Sequence, residues 1–426
     1  MDRAALQNVT LHRLLEVSRQ LGVSDNLPDI LNLIIDAMRD LLASERATVF
    51  EYDAERDELY SSVAHEAKTI RFSARSGIAG TAATERRIIN IADAYKNPAF
   101  NRDIDRATGF RTRSMLTIPL ISPDDELIGV AQVLNKRDGT SFDDDDLAIA
   151  EALASQAAVA IKRAHLVEDQ LARQRMERDL ELARVIQRAT WPQQIPTLHG
   201  LDIATFSESA DSTGGDTHDL ITLDNGDVLA MLADATGHGI GPALVATSLR
   251  AMLRMGVSMN ASLAELATQL NRQLCKDLPL GHFITVWLAV LHADTNTLES
   301  YSAGQAPLLH YHAARGRVTQ LQSDDVPFGV IPDATPEEPV SIPLQPGDTF
   351  IVLSDGFFEA MNERRERIGT EEIITTITQN CRSSASDLIA AIRQTVDNFA
   401  NGTPASDDQT ALVIRRLPLP KGGTQP

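Results

Sequence analysis

The sequence predicts an α+β chain of two domains: an N-terminal antiparallel sheet with flanking helices, then a long helix, then a C-terminal α/β sandwich of two sheets flanked by helices. Three observations predict it. The 426 residues exceed what one ordinary core holds. Apolar periodicity up to about residue 165 passes from helical to strand-like and back to helical. Beyond Gly200 many short apolar strands alternate with a few amphipathic helices.

Composition narrows the class. Hydrophobic residues at 43% and charged residues at 23% are those of a folded globular chain rather than a disordered one. The longest apolar run, Phe283 to Leu291, is interrupted by Thr285 and is far short of the 18 or so residues of a membrane span. The opening MDRAALQNVT lacks the apolar segment of a secretory signal, so a cytoplasmic location is expected. Two cysteines, Cys275 and Cys381, are too few for a disulfide framework, and Gly281 and Asp387 stand where a cysteine-nucleophile phosphatase loop needs Arg. A formal charge of −20 repels nucleic acid and anionic membranes, so neither is an expected partner.

In order along the chain, LQNVTLHRLLEVSRQLG lies in an N-terminal helical segment, 1–27, and LPDILNLIIDAMRDLL reads as a second helix beginning near Pro28. The strands ATVFEYD, ELYSSVA, MLTIPLI and LIGVAQVLN follow, and DDDDLAIAEALASQAAVAIKRAHL closes a domain assigned to 28–165, its Asp run favouring a helix N-terminus. From Leu153, small or apolar residues recur at 157, 160, 164, 167 and 171, the spacing of a helix that pairs with another. Gln174 and Arg178 interrupt the seam before Leu182, Val185 and Ala189 resume it out of phase. A coiled-coil signalling helix over 147–192 and a solvated single-helix spacer both fit; Trp191-Pro192 and Ile195-Pro196 end it.

The C-terminal domain is assigned to 199–416 and the tail 417–426 is expected to be disordered. Its expected strands are DIATFSE, DLITL, DVLAMLAD, FITVWLAVLHA, TLESYSA, PLLHYH, DTFIVLSD and QTALVIRR. Its expected helices are PALVATSLRAMLRMG, SLAELATQLNRQLCKD, EEIITTITQN and SASDLIAAIRQTVDNFA.

Acids mark the ends of these strands. DVLAMLAD ends on Asp234 before the small Ala235, and TFIVLSDG carries Asp355 before Gly356; Asp216 follows Gly214-Gly215, and Asp407-Asp408 precede TALVI. Singly, Asp and Gly at strand ends are turn formers. Gathered in one cleft, carboxylates repel each other unless a cation compensates them, and all-oxygen sets select Mg²⁺ or Mn²⁺. Two such ions activate a water for in-line attack on phosphorus.

The stretch GGDTHDLITLDNGDVLAMLADATGHGIGPALVATSLRAMLR resembles the bacterial branch of the PPM (protein phosphatase 2C-like) family typified by the stage II sporulation phosphatase. FITVWLAVLHADTNTLESYSAGQAP, VPFGV, LQPGDTFIVLSDGFFEAMN and SDDQTALVIRR follow in matching order. The resemblance implies a serine/threonine protein phosphatase with two Mn²⁺ or Mg²⁺ ions. On that resemblance Asp216 and Asp234 would hold and bridge the metals with help from the Ala235 carbonyl, Asp355 would bind on the other side, and Asp407, or alternatively Asp408, would be the last ligand. Asp219 falls on a recurrent acid of the motif and ranks lower, as do Gly237 and His238. His238 is a general acid by type, or packs at the helix that starts near Gly241-Pro242. Thr217-His218 replace the family's aromatic pair, and Gln305 stands in place of the His of an AGH motif. The implied substrate is a phosphorylated anti-sigma-factor antagonist in a partner-switching pathway. The competing reading is an inactive scaffold that sequesters a signalling partner.

SGIAGTAATERRIINIADAYKNPAFNRDIDRATGFRTRSMLTIPL and IGVAQVLNKRDGTSFDDDDL resemble a GAF domain, a small-molecule sensory module. Asn135, Lys136, Phe142 and Asp146 match a signature linked to cyclic-nucleotide binding, with Leu147 in place of its Glu; the same residues also read as a structural turn over a packed Phe. With no Cys in the domain, thioether attachment of a bilin is excluded, and His65 reads as a surface residue rather than a haem ligand. The whole is expected to be a homodimer in which the GAF domain regulates the phosphatase.

Overall fold

The structure, a computed structural model, describes residues 3–61, 70–292 and 294–418. The second half of ELYSSVA, His65 and most of the C-terminal tail lie outside them. The chain divides into two compact units, 1–175 and 176–426.

Unit 1 begins with α1 (Arg3–Val23) and α2 (Leu27–Leu41). Asn26 caps α2 by accepting from the Asp29 amide at 3.0 Å, with Pro28 in the first turn, where a missing N–H costs nothing. The sheet follows: β1 (Ser44–Asp53), β2 (Glu58–Ser61), β3 (Ile70–Ser73), then α3 (Gly77–Glu85), β4 (Ile89–Ile91), α4 (Arg102–Thr108), β5 (Met115–Ile121) and β6 (Leu127–Lys136). Its order is β3-β2-β1-β6-β5-β4, antiparallel throughout. The three short elements α3, β3 and β4 are too brief to carry a period, and the sequence reading passes over them.

Helix α5 (Asp144–Thr190) runs 47 residues. Its seam serves two purposes. Leu153, Ala157, Ala160 and Ala164 are buried in the core of unit 1, with Val17 and Leu21 of α1 and Ile30, Ile34 and Met38 of α2. That part of the heptad stripe therefore packs on its own domain rather than on a partner helix. Leu166, Leu171, Met176, Leu182, Val185 and Ile186 are exposed.

Unit 2 continues with β7 (Leu201–Glu208), β8 (Asp216–Thr222), β9 (Val228–Ala235), α6 (Ile240–Ser258), α7 (Leu263–Asp277), β10 (Ile284–His292), β11 (Thr297–Ala303), β12 (Leu308–His312), β13 (Arg317–Leu321), β14 (Val340–Pro343), β15 (Thr349–Leu353), α8 (Gly369–Gln379), α9 (Ala385–Ala400) and β16 (Gln409–Arg416). Two five-stranded sheets form, ordered β14-β11-β10-β9-β8 and β13-β12-β15-β16-β7. Their facing sides make one core in which Trp287 stacks on Phe350, ring centroids 5.8 Å apart. Helices α6 and α7 cover the outer face of the first sheet, and α8 and α9 that of the second. Ser262 and Glu265 form a reciprocal capping box at α7, satisfying two amide donors at its start.

Among the contacts that tie α5 to the sheet of unit 1 is the pair of His165 with Glu51. His165 Nε2 lies 2.9 Å from Glu51 Oε2, and that hydrogen bond raises the imidazole pKa above its ordinary value. A raised histidine contributes stability below its unfolded pKa of about 6.5 and loses it as pH climbs through the folded value. We expect His165→Ala to destabilise by on the order of 1 kcal/mol at pH 6 and by less at pH 8. Thermal melts at the two pH values check this; an equal effect at both contradicts it.

Candidate active site

Strand register builds the site. In the β8–β9 ladder Asp216 stands directly opposite Asp234, which places the two Cβ atoms roughly 4.5–5.5 Å apart on one face. Asp216 is buried, and its Oδ2 has no protein hydrogen-bond partner. Burial first, then the charges of Asp234 and Asp408, push its carboxyl well above the usual range. Asp234 is half-buried and is raised to about 8, by desolvation and then by Asp355, Asp407 and Asp408. A buried, unpartnered carboxylate oxygen beside two further acids is the donor set a hard cation satisfies, so the residues present fit Mn²⁺ or Mg²⁺.

The second sheet contributes the remaining acids. β15 ends at Leu353, and Asp355 follows as an exposed carboxylate. The protein packed around it, and then Asp407 and Glu359, still raise it to about 6. Gly356 lets the two loops meet, since a Cβ there would lie 2.0 Å from the Asp408 carbonyl oxygen. The doublet divides its labour. Asp408 turns inward, its Oδ1 accepting from the Ala210 amide at 2.9 Å and its Oδ2 from the Asp216 amide at 3.3 Å, so it fixes the loop that carries Asp216. A Cβ on Gly214 would strike that same Oδ2 at 2.2 Å. Asp407 is half-exposed, and its charge is felt by both Asp234 and Asp355.

The other candidates fall elsewhere. Asp219 is fully buried on the opposite face of β8, where both of its oxygens are taken by arginines of α6: Arg254 at 2.6 and 2.7 Å and Arg250 at 3.0 Å. It anchors the helix to the sheet and has no oxygen left to turn toward a metal. Gly237 adopts φ +94° in the turn after β9, and His238 projects into solvent with Nδ1 2.9 Å from Asp211 Oδ2. His218 is buried against Trp191, ring centroids 5.8 Å apart, and burial drives its pKa down to about 4, so it is a neutral packing group. Gln305 is also buried. It accepts from the Thr285 hydroxyl at 2.8 Å and donates to the Leu353 carbonyl at 2.9 Å, tying the end of β15 to β10.

Three positioning residues escaped the sequence reading. Gln187 of α5 donates to the Gly214 carbonyl at 2.7 Å and accepts from its amide at 3.3 Å, clamping the glycine loop ahead of Asp216. Nothing local distinguishes it from the solvated glutamines around it. Ser354 accepts from the Thr410 amide at 2.8 Å and donates to the Asp408 carbonyl at 3.1 Å. The Ser354 and Thr410 hydroxyls lie near Asp216 and offset part of the rise in its carboxyl pKa.

In unit 1 the four candidate ligand contacts are engaged with protein. Buried Asn135, at φ +55°, accepts from the Arg113 amide at 2.6 Å and donates to Glu45 Oε2 and to the Arg111 carbonyl. Lys136 pairs with Asp146, and Phe142 lies in the core.

Comparison with known proteins follows this division. Residues 224–417 match the family model for stage II sporulation protein E, and residues 26–161 match the GAF domain model. The first span takes in Asp234, Asp355 and the Asp407-Asp408 doublet; Asp216 lies just ahead of it and enters through the β8–β9 register. The SiaA PP2C domain of Pseudomonas aeruginosa superposes with a TM-score of 0.51 at 22% identity, over 57% of this chain and 98% of that one. The RsbU and RsbW domains of a Mycobacterium tuberculosis protein give 0.46 at 24% identity, over 54% of this chain and 64% of that one. The dual 3',5'-cyclic-AMP and -GMP phosphodiesterase 11 of Drosophila melanogaster is 36% identical over 118 residues, 28% of this chain. The chain spans 8% of the length of that phosphodiesterase and of the cGMP-specific ones it also matches.

Two outcomes follow from this geometry. In chelator-treated protein the raised carboxyls disfavour the folded state as they ionise. Stability should fall as pH rises from about 4, the unfolded value, through about 8, and saturating Mn²⁺ should flatten that fall in thermal melts. Asp219→Ala should cost about 3–5 kcal/mol in denaturant unfolding by stranding Arg250 and Arg254, while Mn²⁺ binding survives. Lost Mn²⁺ binding in a variant of undiminished stability would return Asp219 to the metal set.

Proposed function

From a chain whose residues 224–417 belong to the SpoIIE-type branch of the PPM phosphatases and whose residues 26–161 are a GAF domain, we propose a phosphoprotein phosphatase, specific for phosphoserine or phosphothreonine and regulated by a small molecule at the GAF domain. The observation that carries the reading is the convergence of Asp216, Asp234, Asp355 and Asp407 from both sheets on one end of the sandwich, with the carboxyl pKa raised at Asp216, Asp234 and Asp355 and an orphaned Asp216 oxygen. These four carboxylates and the Ala235 carbonyl would hold two divalent ions, Mn²⁺ or Mg²⁺. The ions would supply a water of lowered pKa and neutralise the phosphoryl oxygens.

The chain's own residues do the rest. Asp408, Ser354 and Gln187 hold the loops that deliver the ligands, and Gln305 fixes the approach to Asp355, so the departures at His218 and Gln305 are absorbed by packing. The expected substrate is a phosphorylated anti-sigma-factor antagonist, as the resemblance to the stage II sporulation phosphatase branch implies. Apolar residues left exposed on α5 from Leu166 to Ile186 suit a homodimer. Among the described residues no helix is long and apolar enough to cross a membrane.

Full-length protein with Mn²⁺ should hydrolyse p-nitrophenyl phosphate and release phosphate from a phosphorylated antagonist of its own organism. Asp234→Ala and Asp355→Ala should each lower the rate by about 10²–10³-fold without unfolding the protein. An inactive scaffold predicts no hydrolysis by the unaltered protein and undiminished partner binding in both variants. If deleting residues 1–145 leaves the rate unchanged, the GAF domain is not a regulator.

A further inference from the structure

Asp348 immediately precedes β15, whose other end leads to Asp355, so it lies seven residues and roughly 23 Å from the acid cluster. Around it two histidines converge. His310 and His312 are two apart on β12 and share one face of that strand, ring centroids 4.0 Å apart, next to the first residues of β15 through the pairs Tyr311–Thr349 and His310–Phe350. One donor atom from each of His310, His312 and Asp348 lies within 4.8 Å of the other two.

We propose that His310, His312 and Asp348 form a second metal site, for a borderline divalent ion of the Zn²⁺ class, with a fourth coordination position open to a cleft. The donor set is the first reason. Two imidazoles and one carboxylate suit Zn²⁺, Co²⁺ or Ni²⁺ rather than the hard ions of an all-oxygen cluster. A four-coordinate ion with bonds of about 2.0–2.1 Å needs donors about 3.3 Å apart, and His310 Nε2 already lies 3.4 Å from Asp348 Oδ2. His312, half-exposed, is the ligand free to rotate in.

An under-satisfied atom is the second reason. His310 is 4% exposed, and its buried Nε2 makes no well-formed hydrogen bond; it faces Asp348 Oδ2 at 3.4 Å, a long contact that an ion shared between the two would satisfy better. Asp348 is 2% exposed, and its two oxygens accept from the Ala313 amide at 2.8 Å and the Gln345 amide at 2.9 Å. These bonds orient the carboxylate as supporting bonds orient a metal ligand, and each oxygen keeps a further lone pair. Burial and the neighbouring His312 also lower the His310 pKa, which keeps the ring in its ligating neutral form. The third reason is access. All three residues line one cleft of about 530 Å³, with Asp324, Ser341 and Gln345 on its walls, and it gives an ion a path in and leaves room for water or a small anion as the fourth ligand. A mere turn staple would account for the two amide bonds to Asp348, and a His–Asp pair for the 3.4 Å contact, but neither accounts for the convergence of His312 on the same point.

The test is Co²⁺ titration of chelator-treated full-length protein in excess Mg²⁺, which fills the acid cluster. The expected result is one equivalent of Co²⁺ bound with the visible bands of a four-coordinate site, displaced by Zn²⁺. His312→Ala, at a half-exposed position where the fold is not at stake, should abolish the bands, weakening binding by more than the roughly 10–100-fold that loss of an outer-shell partner costs. The Asp234→Ala/Asp355→Ala double variant should keep them. Absence of bands in the unaltered protein, bands unchanged in His312→Ala, or bands lost with the acid cluster would each overturn the proposal.

Discussion

Mutual repulsion among carboxylates is the constraint around which the C-terminal unit is arranged. Asp216 and Asp234 face each other across one ladder, and Asp355 and the Asp407-Asp408 doublet reach them from the other sheet. Burial first, and then close charges of one sign, make the ionised cluster unfavourable, and the raised carboxyls register both costs. The sandwich bears it because the strands that aim the acids are held by the apolar layer between the sheets, where Trp287 and Phe350 stack. Rigid elements impose a geometry that the acids alone would relax away from.

The loops around the cluster show how closely it is held. Asp408 is used inward to fix the Asp216 loop, Ser354 links the last turn of one strand to the first residues of another, and glycines stand where any side chain would collide. Gln187 extends this support to the far end of α5 within the same unit. The positions where the chain departs from its relatives' pattern, His218 and Gln305, are both buried and both bound into packing or hydrogen bonds; they have become part of the scaffold.

The N-terminal unit teaches the opposite lesson about motifs. Its Asn135, Lys136, Phe142 and Asp146 match a signature associated with ligands in related domains, yet here each is engaged with a neighbour inside the domain. A residue pattern conveys which groups are available. Whether they meet a ligand or each other depends on the distances between them.

Periodicity and turn chemistry are local properties, and they were enough to reveal the class of each unit, nearly every long helix and strand, and the acids at strand ends. The sequence also carried the family resemblance that the later comparisons met. Short elements such as β13 and β14 escaped it, being four or five residues without a clear period. Tertiary structure decided which acids converge, that Asp219 serves two arginines, that Asp408 rather than Asp407 turns inward, and that half of the α5 seam packs on its own domain. The reason is that strand order, register and the facing of two sheets join residues more than a hundred positions apart, and no local pattern encodes where a carboxylate's second oxygen will find itself.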